Sequence, residues 1–187
     1  MEALLTRDFP RPFLAASVLP AAIFIAVPAA AQSIARPDTW TLTPFLTSSM
    51  GAEHPAPKDS FGLGLGVGYD WTSNLGFEGE FSHLFDIAGN SADVDWSVTN
   101  FSANGIYHFN AKHVTPYATL GLGFEVSDKG DDDDVSSTEM AINFGGGVKY
   151  AINNRWTVRG DLRRVEAFDL APDYWRIYGG MTFRLGQ

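Results

Sequence analysis

The chain has no cysteine, which excludes disulfides and thiolate metal sites. It is short of basic residues, with 13 Lys and Arg against 22 Asp and Glu and a formal net charge of −9. That balance argues against a nucleic-acid partner, because phosphate binding needs a basic footprint. No stretch shows a convincing helical period. After residue 31, no apolar run is long enough for a membrane helix. His54, His108 and His113 are scattered without metal-ligand spacing, and no cofactor motif is present. A length of 187 residues fits one domain.

The one long apolar run stands near the start. Arg7 and Arg11 precede PFLAASVLPAAIFIAV, followed by PAAAQ. A basic start, a short apolar middle and small residues at the end are the layout of a secretory signal. Ala29 and Ala31 supply an A-x-A site. The run falls short of the roughly 20 residues of a spanning helix, and Pro20 interrupts it. Residues 1–31 are therefore expected to be a cleaved signal peptide, and 32–187 the mature domain.

What the chain does have is alternation. Residues 60–71 read SFGLGLGVGYDW. Phe61, Leu63, Leu65, Val67, Tyr69 and Trp71 share one side of a strand; Gly62, Gly64, Gly66, Gly68 and Asp70 share the other. Eight such segments lie near 39–47, 60–71, 75–85, 94–109, 115–126, 136–150, 156–168 and 173–185. Most are 9 to 15 residues long, and a transmembrane barrel asks for tilted strands of about 9–11. The connections alternate. SSMGAEHPAPKD, DIAGNSAD and the flanked SDKGDDDD are long; TSN, NAKHV and AINNR are short; only the last connection, around DLAP, is short where a long one is expected. The sequence predicts an all-β, eight-stranded antiparallel up-and-down barrel, with short turns in the periplasm and longer loops outside. A bulge is expected near Thr99–Asn100, where the fourth segment drifts out of phase.

Three features favour the apolar face outward, toward lipid. The polar face is rich in glycine, which suits a narrow lumen crowded by long side chains. Trp71, Tyr107, Phe109, Tyr150 and Trp156 gather beside the short turns, as interfacial aromatics do. The polar face also matches acids with bases. Glu78, Glu80, Glu125, Glu139 and Asp161 face Lys149, Arg159, Arg163, Arg176 and Arg184, as a closed lumen needs if buried charges are to pair. Glu78 and Glu80 are expected to pair with bases drawn mainly from Arg159, Arg163 and Arg176, at least one pair crossing the lumen over the wall left bare by the four glycines.

With TPYATLGLGFEV, EMAINFGGGVKY followed by AINNRW, and the ending YGGMTFRL, the chain resembles the small outer-membrane β-barrel domain family, the OmpA/OmpX-like barrels. The likeness covers roughly residues 39–185. It implies the outer membrane of a Gram-negative bacterium, outer-membrane lipid and lipopolysaccharide as surroundings, and a monomer. It also implies a final strand read by the barrel assembly machinery, with Tyr178, Gly180, Phe183 and Leu185 in the signal positions and Leu185 replacing the usual aromatic. No peptidoglycan-binding domain is expected after the barrel.

An enzyme reading has thin support. Ser82, His83 and Asp86 are the candidates for lipid A chemistry, but adjacent strand residues face opposite ways and make a poor nucleophile–base pair. Asp128 and Asp131–Asp134 offer oxygen ligands, without the spacing of a calcium loop. The expected protein is a non-enzymatic membrane barrel with a structural or surface-interaction role. The alternative is a narrow ion or solute channel.

Overall fold

Period-two alternation favours extended chain, and a sheet of long strands leaves no open edge when it closes on itself. The computed structural model describes residues 34–50, 60–85, 95–109, 111, 114–130, 135–168 and 174–186. They hold eight strands: β1 (Thr39–Met50), β2 (Phe61–Asp70), β3 (Leu75–Phe85), β4 (Asp95–His108), β5 (Val114–Gly130), β6 (Val135–Ala151), β7 (Trp156–Ala167) and β8 (Tyr174–Leu185). The expected signal peptide, His54, Asp86, His113 and Asp131–Asp134 lie outside the described residues.

Each strand pairs antiparallel with its sequence neighbours and β1 pairs with β8, so the expected up-and-down barrel is closed. Register partners followed once round the wall run from Thr39 through Asp70, Gly76, Ile106, Thr119, Gly145, Arg163 and Arg176. They return to Ser49, ten residues further along β1. Closure of a tilted sheet requires such a stagger. Its even value matters, because a slip of one residue would carry inward side chains to the outer face.

The outward face is apolar. Leu120 leaves 59% of its surface exposed, while Arg163 on the inner face leaves none. A water-soluble barrel would show the reverse. Trp71, Tyr107, Tyr150 and Trp156 are exposed around the turn end, where Trp71 packs on Phe77 and Trp156 on Phe183. The tight turns carry their own acceptors. Thr72 Oγ1 accepts from the Asn74 and Leu75 amides at 3.1 and 2.8 Å. Asn153 Oδ1 accepts from the Arg155 and Trp156 amides at 2.8 and 2.9 Å.

Two expectations need correction. The bulge at Thr99–Asn100 is not there: β4 keeps continuous register with β3 and with β5 across both residues. Polarity changes, not phase. Toward the loop end the inner face turns apolar, with Leu84, Ala141, Val165 and Tyr174 packed together and Val98 against them. The outer face turns polar there, with His83 Nδ1 2.9 Å from Thr99 Oγ1. The sequence signal inverts while the ladder runs on.

Strand ends also differ. β5 and β6 are 17 residues each and take in Ser127–Gly130 and Val135, read from the sequence as loop. The backbones of these polar ends stay paired in the ladder. Hydrophobic alternation reports contact with lipid or core and is silent where strands leave both.

Candidate functional site

On the inner face β3 presents Glu78 and Glu80, β7 presents Arg159, Asp161 and Arg163, and β8 presents Arg176. In a ring of eight, β3 and β7 stand four strands apart, so their side chains meet across the lumen. Arg159 Nη1 donates to Glu78 Oε2 at 2.6 Å. Arg163 Nη1 donates to Glu80 Oε2 at 3.1 Å, and its Nε to Asp161 Oδ1 at 2.9 Å. Arg176 Nη2 donates to Glu80 Oε1. Arg159 Nη2 reaches Asp161 Oδ2 at 3.4 Å, and Arg163 Nη2 stands 3.8 Å from Glu78 Oε1. None of the three arginines is more than 1% exposed. Charges so far from water persist only when paired and hydrogen-bonded, and the forked guanidinium suits one cation to two carboxylates.

Tyrosines hold the planes of this layer. The Arg159 guanidinium lies 4.8 Å from the Tyr117 ring centroid and 5.0 Å from that of Tyr178. Arg163 and Arg176 lie 5.1 and 5.8 Å from the Tyr178 centroid. A buried cation over a ring face adds to the pairing. The hydroxyls take part as well. Arg159 Nε donates to Tyr117 Oη at 2.7 Å, Arg163 Nη2 to Tyr178 Oη at 3.0 Å, and Tyr117 Oη to Asp161 Oδ2.

The bare glycine wall serves a different neighbour from the one expected. Phe45 of β1 points inward, 4% exposed, and its ring stacks on Tyr178 at 4.6 Å. Its register partners are Gly64 and Gly180. A Cβ on Gly64 would strike the Phe45 ring, and one on Gly180 would stand 2.8 Å from Phe45 Cβ. At Gly66 the close neighbour is the Glu78 side chain, and at Gly68 it is Thr41 Oγ1. The glycines make room for a phenylalanine and a glutamate, not directly for arginines. Phe45 was missed because its segment has polar residues on the same face and reads as ordinary strand.

Other charged residues stand apart from this layer. Glu125 accepts from Tyr174 Oη at 2.5 Å and Asn100 Nδ2 at 3.1 Å. Lys149 Nζ lies 2.8 Å from His108 Nε2 at the turn end. Glu139 is half-buried near the loop end of β6. Arg184 donates to the backbone carbonyls of Ile34 and Asn154. The even match of five acids with five bases thus resolves into a core of three and three, while Glu125 and Arg184 bond to neutral groups. Neutral amides line the β4–β6 side, where Asn143 Nδ2 donates to Asn104 Oδ1 at 3.0 Å and Asn104 Nδ2 to Ser102 Oγ at 3.2 Å.

Ser82 is buried facing the lumen, with Arg176 Nη1 3.4 Å from its hydroxyl, while His83 points outward to Thr99. The two do not converge. Among the described residues no group of three or more His, Asp or Glu side chains is arranged to hold a metal. Of the four positions named for assembly, Tyr178 is inward, Gly180 abuts Phe45, and Phe183 and Leu185 lie on the outer face near the turn end.

The sequence profile of the outer membrane protein beta-barrel domain matches residues 17–186. No curated protein matches the chain by sequence. Among solved structures, the Neisserial surface protein A is similar with a TM-score of 0.67 and 14% identity, covering 79% of this chain and 97% of that one. The attachment invasion locus protein Ail of Yersinia pestis follows at 0.60 and 15%, covering 80% and 99%. The N-terminal barrel domain of Pseudomonas aeruginosa OprF gives 0.57 and 19%, covering 80% and 98%. At these identities the likeness is one of fold.

Proposed function

The chain belongs to the outer membrane protein β-barrel domain family, and on that premise we propose a barrel whose lumen is closed by its own charge pairs and whose outer loops carry its contacts. It is a non-enzymatic integral protein of the Gram-negative outer membrane. The observation that carries the closed-lumen reading is the wall-to-wall pairing of Glu78 and Glu80 on β3 with Arg159, Arg163 and Arg176 opposite. An eight-stranded barrel has an interior just wide enough for side chains to fill. Planar-bilayer recording of the purified protein tests it. A closed core gives no unitary conductance, and discrete openings at modest voltage would overturn it.

A second reading, a narrow ion path, has one observation in its favour. Thr119 Oγ1 and Asn143 Oδ1 on the neutral wall are buried without a hydrogen-bond partner, as atoms beside a water file would be. The same recording decides between the two.

For the loops, charge indicates the kind of contact. Ail has been crystallised with a heparin analogue, sucrose octasulfate. The β5–β6 connection here carries Asp131–Asp134 and repels such a polyanion. Its partner is instead a cationic surface, or lipopolysaccharide phosphate bridged by shared divalent cations. We further assign cleavage after Ala31, and the reading of β8 by the barrel assembly machinery through Tyr178, Gly180, Phe183 and Leu185. The mass of the mature protein checks the first; assembly yield of a Leu185→Phe variant checks the second.

A further inference from the structure

On the outer face, register rows cross the strands as ridges. Leu65 of β2 pairs with Phe81, Phe81 with Phe101, Phe101 with Phe124, and Phe124 with Met140 of β6. All five are exposed, and the Phe81 and Phe101 rings meet with centroids 4.9 Å apart. The next row toward the turn end is low: Val67, Gly79, Ala103 and Leu122. The row after it runs through Tyr69 and Phe77, drops at Gly105 and rises again at Leu120. Between the ridges lies a groove of about 940 Å³, joined over Val67, Gly79 and Ala103 to a depression of about 380 Å³ that reaches Gly105. Packing inside the wall does not require these glycines. Among the described residues, and beyond its chain neighbours, a Cβ on Gly79 would meet nothing nearer than the Val67 carbonyl oxygen at 4.0 Å. One on Gly105 would meet nothing nearer than the Leu120 carbonyl oxygen at 3.8 Å. On inward-facing Gly123 it would come within 2.3 Å of the Phe101 carbonyl oxygen. Glycine weakens a strand interior, and there it often marks the close approach of a ligand.

We propose that this groove is a binding site for one acyl chain of a phospholipid in the turn-end leaflet. The outer face meets lipid, so hydrocarbon reaches the groove without any partner protein. Every outward side chain along the larger part is apolar, while those of Glu80 and Ser102 beneath it point inward and are buried. A headgroup would find nothing there to bond; a hydrocarbon chain needs nothing more. From β2 to β5 the floor spans three strand spacings, about 14 Å. That is close to one leaflet's share of a hydrocarbon core roughly 30 Å thick. The ridges give the direction of entry. On the loop side the row from Leu65 to Met140 is unbroken, whereas on the turn side it is interrupted at Gly105. Trp40 and Tyr69, with ring centroids 5.1 Å apart, border the depression on that side, and such rings sit at headgroup level. A second barrel would bring a convex wall, which rests on ridges; a single chain lies between them. The site is on the outside of the wall and holds whether or not the lumen conducts.

The test is lipid retention. The protein is refolded into vesicles of phosphatidylethanolamine and phosphatidylglycerol, extracted in mild detergent and weighed by native mass spectrometry. Gly79→Leu and Ala103→Leu each raise the floor between the ridges. Gly160→Leu makes the same change on β7, four strands away, at another outward glycine where an added Cβ meets no listed neighbour within 4 Å. Heat-modifiable mobility on gels confirms that each variant is folded. Ala103 already carries a Cβ, so its variant keeps the test alive where Gly79→Leu does not fold. The unaltered protein is expected to leave the detergent with one phospholipid bound. That species should be lost in Gly79→Leu and Ala103→Leu and kept in Gly160→Leu. An unaltered protein that carries no lipid overturns the proposal, as does equal retention in all the variants. Loss in Gly160→Leu as well would make the lipid a general coat and also overturn it. A dimer in place of the lipid-bound monomer would make the groove an interface between copies. Retention only when lipopolysaccharide is added to the vesicles would overturn the phospholipid and its leaflet.

Discussion

Glu80 is the residue on which the lumen layer turns. It joins Arg163 on β7 to Arg176 on β8, and neither arginine is equivalent without it. Arg163 keeps Asp161 as a second carboxylate at 2.9 Å, whereas among the described residues Arg176 keeps no second carboxylate, but the Ser82 hydroxyl at 3.4 Å and the Tyr178 ring. Arg159 is satisfied by Glu78 and Asp161 and does not touch Glu80. A buried ion pair is weakly stabilising as a unit, but stripping one member leaves an uncompensated charge and costs about 3–5 kcal/mol. Glu80→Gln is therefore expected to destabilise the refolded barrel on that scale. Adding Arg176→Met should recover part of the loss; adding Arg159→Met should recover none. Urea unfolding in lipid vesicles, arranged as double-mutant cycles, reads both couplings. Equal coupling to Arg176 and Arg159, or none to either, would contradict this wiring.

At the scale of the element, each strand is defined by which solvent its two faces meet. β2 states this most simply, with Leu63, Leu65 and Val67 exposed and Gly62, Gly66 and Gly68 buried. Leu65 lies midway along the strand, with Pro44 and Phe81 as register partners. Arginine there meets hydrocarbon and is expected to cost about 2–4 kcal/mol, as charges at the midplane of a membrane barrel do. A Leu65→Arg protein that refolds into vesicles with undiminished stability would mean the outer face is not the lipid face. The eight strands and their faces were legible in the sequence because lipid and lumen impose opposite demands on alternate residues. The signal failed where those demands lapse. Val98 and Leu84 turn inward and Thr99 and His83 outward near the loop end, which mimicked a bulge. Ser127–Gly130 continue β5 in register with its neighbours although the apolar alternation has ended. In the lumen, the acids and bases were legible by face. Which met which was not, because the ten-residue stagger sets relative heights and is invisible without register. Phe45 shows the same limit, since only the closed seam brings Gly64 and Gly180 to either side of it.

For the whole molecule, the two ends differ enough to predict how it sits in the membrane. One end has Thr72- and Asn153-capped turns, exposed aromatics, the start of β1 and the finish of β8. The other has the longer connections and the β5–β6 hairpin. β6 runs six residues, Val135–Met140, beyond its last register pair with β7 at Ala141. That is roughly 20 Å of strand at about 3.4 Å per residue. A hairpin this tall, ending in four consecutive aspartates, cannot rest in hydrocarbon and does not suit the tight-turn side of a barrel, where connections are short. The even strand count puts the start of β1 and the finish of β8 at the tight-turn end, which is expected to face the compartment from which a secreted chain inserts. An epitope placed after Gly130 is accordingly expected to bind antibody on intact cells. One placed after Asn153 should bind only after the outer membrane is permeabilised. The permeabilised signal also shows that the second variant is present and inserted. Binding to intact cells by the Asn153 insertion and not by the Gly130 insertion would turn the molecule over. The tight turns would then face the outside medium and the acidic hairpin the periplasm.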